Sequence, residues 1–232
     1  FDEMKKFGTV SSEKADDMKK QNKIIKNRTK SFAVITDSAA DITDKDIEEL
    51  DINIIPIGIQ LGQKSYLDKV TITPDEFFKE LSVNTAQPTT SQPSVGEFRR
   101  HFEYLASHYN DVLSISVTGS ISGTLQASES AAKKIKADGD IFTYNSLNAS
   151  LGQGQIAVYA AKCAKSGKDI YSTIKELNTI RKNTKTFGLI PNLKYAVQGG
   201  RVPKTVKLIA DIFRLTPILV STDDGFIVTR KF

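Results

Sequence analysis

From Ser31 onward, short apolar runs alternate with stripes of apolar residues at helical spacing. Phe32-Ala33-Val34-Ile35-Thr36 is a nearly continuous apolar run, suited to a strand buried on both faces. Asp37-Ser38-Ala39-Ala40-Asp41 breaks the run, and Ile42, Ile47 and Leu50 then recur near helical spacing. Ile52 to Ile59 reads as the next strand, with Pro56 marking an edge or a bend. Leu61 to Tyr66 reads as a turn into a further extended piece. Thr73-Pro74-Asp75-Glu76 combines a capping Thr, a Pro at the first helical position and a Glu three residues on. That is a strong helix start, and Phe77, Phe78 and Leu81 are expected on its buried side. Ser94-Val95-Gly96-Glu97 is a second capping box, followed by the stripe Phe98, Phe102, Leu105.

The alternation continues to the end of the chain. Val112 to Ser116 predicts a strand, and Leu125, Ala132 and Ile135 mark the helix after it. Ile141 to Tyr144 predicts another strand. A helix from about Ser150 to Lys165 stops at Gly167, and a second runs over Asp169 to Lys182 with Ile170, Ile174 and Leu177 on one stripe. Thr186 to Ile190 is a strand, and Pro191 to Val197 a turn and short helix. Val206 to Phe213 is apolar and helical, and Pro217 to Val220 is a strand. Thr222-Asp223-Asp224-Gly225 is a hairpin turn into Phe226 to Thr229. Repeated β-then-α units predict an α/β fold.

The first thirty residues do not share this pattern. Phe1 to Arg28 interleaves five acidic residues with eight Lys or Arg and has few large apolar side chains. Residues 1–30 are therefore expected to be a charged linker or the end of an upstream domain. A chain of 232 residues is long enough for one large or two modest domains, and 39% hydrophobic with 25% charged is ordinary for a soluble protein. The net charge of +5 arises from 32 basic against 27 acidic residues and makes no case for nucleic acid. A single cysteine, Cys163, cannot form an internal disulfide, and a reducing, cytoplasmic setting is expected. No apolar stretch reaches the length of a membrane span. Opening on Phe1 and stopping at Phe232 just after a strand-like run, the chain reads as a fragment of something longer.

Candidate chemistry centres on anion binding. Pro88-Thr89-Thr90-Ser91-Gln92-Pro93-Ser94 places four hydroxyls and an amide between prolines, which predicts a stiff loop able to grip a small anion. Ser94, as N-cap, pins that loop to the positive end of a helix. Val117 to Thr124 is a Gly/Ser/Thr turn between a strand and a helix, either an anion cradle or a plain turn capped by Ser122 or Thr124. Gly199-Gly200-Arg201 would aim one arginine at one place. Other signals are weaker. Gly152-Gln153-Gly154-Gln155-Ile156-Ala157 matches a dinucleotide fingerprint only superficially, since no strand immediately precedes it. His101 and His108 share a helix face, but no Cys, Asp or Glu completes a metal set, so no metal or other cofactor is expected. Cys163 sits among alanines and reads as packing.

In order and spacing, Thr36-Asp37-Ser38, Pro88 to Ser94, Ser120-Ile121-Ser122-Gly123-Thr124, Gly199-Gly200-Arg201 and Pro217-Ile218-Leu219 ahead of Asp224-Gly225 resemble the DegV family of bacterial fatty-acid-binding proteins. The resemblance covers about Ser31 to Phe232. It implies two α/β domains with a lipid between them: an N-terminal domain over 31–168 and a smaller C-terminal domain over 169–232. The second is expected to be truncated, because the family pattern continues past the final hairpin with a further Arg and a C-terminal His. The resemblance also implies a partner, a fatty acid kinase, separate or fused upstream, that phosphorylates the bound carboxylate. The family member presents the lipid and is not itself an enzyme. By resemblance, Thr90 and Ser122 hold the carboxylate. Asp37, Ser38, Ser91, Gly123 and Thr124 line the head-group end, and Arg201 serves kinase contact or phosphoryl transfer. A transient membrane contact is compatible with this role. The rival reading is an enzyme acting on a small phosphorylated or carbonyl substrate with Asp37 and Ser38 as its catalytic groups.

Overall fold

The computed structural model describes residues 32–84, 86–135, 139–190, 192–202, 217–222 and 225–231. The charged segment 1–30, the expected helix over 206–213 and the turn residues 223–224 lie outside the described residues.

Four parallel strands form the central sheet: β1 (Phe32–Asp37), β2 (Ile52–Ile55), β6 (Asp111–Ser116) and β7 (Ile141–Asn145), in the order β2-β1-β6-β7. Alternation along β1 sends its side chains to two cores. Phe32 and Val34 join Leu113, Ile115, Tyr144, Ile156 and Leu177 on one face. Ala33 and Ile35 join Ile55, Phe98, Phe102, Leu105 and Ala127 on the other. Every residue of β1 is buried, as the continuous apolar run predicts for a strand covered on both sides.

The first face is covered by α1 (Asp44–Leu50), α5 (Ser150–Lys165) and α6 (Ile170–Asn183). The second is covered by α3 (Val95–His108) and α4 (Thr124–Ala132). The helix starts follow the capping chemistry. Ser94 accepts from Glu97 N at 3.2 Å while Glu97 Oε2 accepts from Ser94 N at 2.7 Å. Thr73 and Glu76 form the same reciprocal pair at the start of α2 (Pro74–Val83). α6, where the expected second domain begins, buries Ile170 and Leu177 in the core of the parallel sheet.

Between β2 and α3 the chain builds a small antiparallel sheet, β4-β3-β5, from β3 (Gly58–Leu61), β4 (Lys64–Leu67) and β5 (Pro88–Ser91). Pro56 stands in the break between β2 and β3, and Gly62 turns the β3–β4 hairpin at φ 62°. Helix α2 beside this sheet buries none of its residues, and Phe78 is 65% exposed rather than on a buried side. A third sheet, β10-β9-β8, is antiparallel and contains β8 (Phe187–Leu189), β9 (Pro217–Thr222) and β10 (Gly225–Lys231). Between β8 and β9 lies the short helix α7 (Lys194–Gln198).

Candidate anion-binding site

The order β2-β1-β6-β7 fixes where a ligand can sit. From β1 the chain crosses to β2 on one side, and it later returns to β6 on the other. The carboxyl ends of β1 and β6 therefore flank a topological switch point, the usual crevice in open α/β sheets. Asp37-Ser38 and Val117 to Gly123 are the residues that emerge there.

Asp37 and Ser38 are both about 1% exposed, and their polar atoms are already engaged. Asp37 Oδ2 accepts from Val117 N at 2.8 Å and Oδ1 from Ala39 N at 3.1 Å, tying the end of β1 to the end of β6. Burial pushes the Asp37 carboxyl above its ordinary range, against the opposing effect of hydrogen bonds from Val117, Gln153 and Ala39. Ser38 Oγ accepts from Ile57 N at 3.0 Å and its N–H donates to Ile55 O at 3.0 Å, tying β1 to β2. Lys69 Nζ donates to Ser38 O at 2.9 Å and Ala40 O at 3.1 Å, holding the same turn from outside. Asp37 and Ser38 are thus the floor of the switch point. A nucleophile and base would need reach to a substrate, and both side chains are instead buried and accept from backbone N–H groups, which speaks against the Asp37/Ser38 enzyme.

The turn after β6 is more open. Thr124 is buried, Ser122 and Gly123 are half-buried and Ser120 is exposed. Ser122 Oγ lies 2.8 Å from Thr124 Oγ1 and accepts from Thr124 N at 3.3 Å. Gly123 is the N-cap of α4 and supplies no side-chain cap, and Ser122 Oγ takes the first helical N–H, that of Thr124, in its place.

Pro88 to Ser94 is not the simple loop expected from its prolines. Pro88 to Ser91 form β5, pairing with β3 so that Thr90 stands opposite Ile59 and Ser91 opposite Gly58. Thr supports an extended backbone, and β3 supplies the partner edge that residue type alone does not announce. Thr89, Thr90 and Ser91 are exposed, while Pro93 is buried. The side-chain hydroxyl of Thr90 has no hydrogen-bond partner among the described residues. From this strand Gln92 reaches the second segment: its side-chain amide lies against the α-carbon of Gly123. The strand that carries Thr90 and the turn that carries Ser122 therefore meet.

Arg201 arrives from the third direction. Helix α7 ends with Gly199, then Gly200 at φ 75°. Arg201 N donates to Ala196 O at 2.9 Å and Gly200 N to Val197 O at 3.0 Å, the paired bonds of a Schellman ending. The glycines thus stop the helix and turn the chain. Arg201 Nη1 donates to Gly199 O at 2.8 Å and Nε to Ile121 O at 3.2 Å, which lays the guanidinium along the Ser122 turn. Ser120, Ile121, Ser122, Gly123, Gly199, Gly200 and Arg201 together line a polar pocket of about 340 Å³. An always-charged guanidinium with hydroxyls beside a helix start suits a carboxylate or phosphate. Among the described residues no group of His, Cys, Asp and Glu is arranged to hold a metal ion.

One hub gave no sequence signal. Asn148 is buried, and its Oδ1 accepts from Thr186 Oγ1 at 3.0 Å and Ser221 Oγ at 2.8 Å, fastening β8 and β9 to the loop after β7. Gly152 leaves room for Thr186 and Asn148, since a Cβ there would overlap both side chains. This explains the first glycine of the superficial dinucleotide match by packing. Cys163 is buried within α5, also as packing.

Comparisons with known proteins agree with this architecture. The model of the family described as "Uncharacterised protein, DegV family" matches residues 31–231. A DegV domain-containing protein of Staphylococcus aureus is 31% identical over 192 residues, covering 83% of this chain and 67% of that protein. A solved structure of DegV from Bacillus subtilis, a fatty acid binding protein, superposes with a TM-score of 0.80 at 28% identity, covering 87% of this chain and 72% of that one. A fatty-acid-binding DegV family protein from Thermus thermophilus gives 0.78 at 27% identity, with 87% and 71% covered. A family match over nearly the whole described chain, carried on the same α/β fold, leads to one assignment: the chain belongs to the DegV family.

Proposed function

We propose that the chain binds a long-chain fatty acid, with the carboxylate held by Thr90 and Ser122. The observation that carries this reading is the meeting of two hydroxyl-bearing segments, β5 and the Ser122 turn, at Gly123, with Arg201 hydrogen-bonded to the same turn. The fatty acid binding stated for the Bacillus subtilis and Thermus thermophilus relatives points the same way. Ser91, Gly123 and Thr124 belong to the head-group end, and Asp37 and Ser38 support it from below. Each methylene of the tail contributes about 0.8 kcal/mol on burial, so the tail dominates affinity and the polar groups fix orientation.

The chain then presents the carboxylate to a fatty acid kinase, and Arg201, exposed at the rim of the pocket, serves that contact or the phosphoryl transfer. In this role the chain needs no cofactor of its own and acts as a carrier in the cytoplasm. Among the described residues no helix is long and apolar enough to cross a membrane. The test is lipid extraction from purified protein followed by mass spectrometry, and then uptake of palmitate or oleate by stripped protein. A copurifying C16–C18 acid and saturable uptake are expected. Protein that carries no lipid and takes up neither acid sinks the reading.

A further inference from the structure

Gly123 is a glycine for a reason its backbone does not supply. Its φ of −80° and ψ of 7° are open to any residue. What is special is the space beside it: a Cβ built there would overlap Gln92 Oε1 and stand 2.8 Å from Cδ and 2.9 Å from Nε2. The Gln92 amide is thus pressed against the bare α-carbon, two residues after Thr90 and directly beside the residue that follows Ser122. Gln92 is exposed, and its amide has no hydrogen-bond partner among the described residues. An amide held by packing but unspent in hydrogen bonding keeps two N–H donors for something that is not protein.

We propose that Gln92 is a third binding group for the lipid carboxylate, donating an N–H from Nε2, and that position 123 lacks a side chain to admit that amide. The proposal rests on the fatty-acid reading above. A carboxylate has about four acceptor sites, and the hydroxyls of Thr90 and Ser122 can fill two of them. A donor two residues from Thr90 in sequence and seated beside the residue after Ser122 can meet part of the remaining demand.

The test measures dissociation constants of palmitate and oleate for the whole chain, with thermal melts alongside. Gln92→Glu keeps the shape but removes the donors and adds a repelling charge; Gln92→Met keeps the bulk and removes the donors. Both are expected to weaken binding about tenfold or more, with melting temperatures within about 2 °C of wild type. Gly123→Ala is expected to cause a similar loss and to add nothing further in a Gln92→Ala background, because both changes remove the same contact. Binding of the Gln92→Glu protein within about twofold of wild type overturns the assignment while leaving the fatty-acid reading intact, and so do additive losses in the double variant. Wild-type protein that takes up neither acid overturns both.

Discussion

Asn148→Ala tests how the second antiparallel sheet is seated beside the anion pocket. The side chain makes four hydrogen bonds: Oδ1 accepts from Thr186 Oγ1 at 3.0 Å and Ser221 Oγ at 2.8 Å, and Nδ2 donates to Ser146 O at 3.1 Å and Thr184 O at 3.4 Å. Not all four losses count fully. Thr186 Oγ1 has a second acceptor in Ala149 O at 3.2 Å, and the Thr184 contact is long. The Ser221 hydroxyl still accepts from Thr186 N at 2.9 Å, but its own proton loses its acceptor in a site about 1% exposed. At about 1–3 kcal/mol for each buried group left unsatisfied, the Ser221 proton and Ser146 O together predict a loss of roughly 2–6 kcal/mol. For a domain of this size that corresponds to a fall in melting temperature of roughly 4–24 °C. Urea denaturation would measure it, with Ser221→Ala completing a double-mutant cycle. The two changes should be non-additive, because they remove the same bond. Phosphorylation of the bound lipid by a fatty acid kinase should slow as well, since β8 and β9 frame the helix that leads into Arg201. A loss below about 0.5 kcal/mol, or strict additivity with Ser221→Ala, would refute the reasoning.

Three further outcomes follow from named contacts. Gly200→Ala should cost about 1–2 kcal/mol, because φ is 75° there, and should disturb the Schellman ending that turns the chain into Arg201; a neutral effect on a chemical denaturation curve would contradict it. The Asp37 carboxyl should titrate above the ordinary 3.8, followed by its side-chain carbon resonance. Because the folded state holds that proton more tightly than the unfolded chain, its contribution is fully present below pH 3.8 and is lost as pH rises through the raised value. Titration at or below 3.8 would show that the hydrogen bonds outweigh burial. Arg201→Ala should leave fatty acid affinity nearly unchanged yet slow phosphorylation by a fatty acid kinase, and equal loss of both would contradict a role in presentation.

Much of the scaffold was legible because it is written in local chemistry. The capping pairs Thr73–Glu76 and Ser94–Glu97 appear where the spacing places them. The helix expected from Ser150 to Lys165 has those bounds, with the chain reversing at Gly167, φ 78°. Non-local features were less accessible. Nothing in Pro88 to Ser91 says that β3 offers it an edge, so a strand reads as a loop. The stripe Ile170, Ile174, Leu177 says that α6 has a buried face but not against which sheet, so the core of the parallel sheet runs past residue 168. Phe77, Phe78 and Leu81 follow an amphipathic pattern, yet α2 lies beside a three-stranded sheet too small to cover Phe78. For the site, the composition of each segment was informative, and the contacts between them were not. Gln92 on Gly123 joins residues 31 apart, and Asn148 to Ser221 joins residues 73 apart.

The central claim is that Thr90 and Ser122 grip one carboxylate. Calorimetric titration of palmitate into delipidated wild type, Thr90→Val, Ser122→Ala and the double variant tests it directly. Each single change should weaken binding by roughly 1–3 kcal/mol, and the double variant should lose most of the carboxylate's contribution while retaining tail-driven binding. If all three variants bind as tightly as wild type, the head group lies elsewhere and the site assigned to these two hydroxyls is wrong.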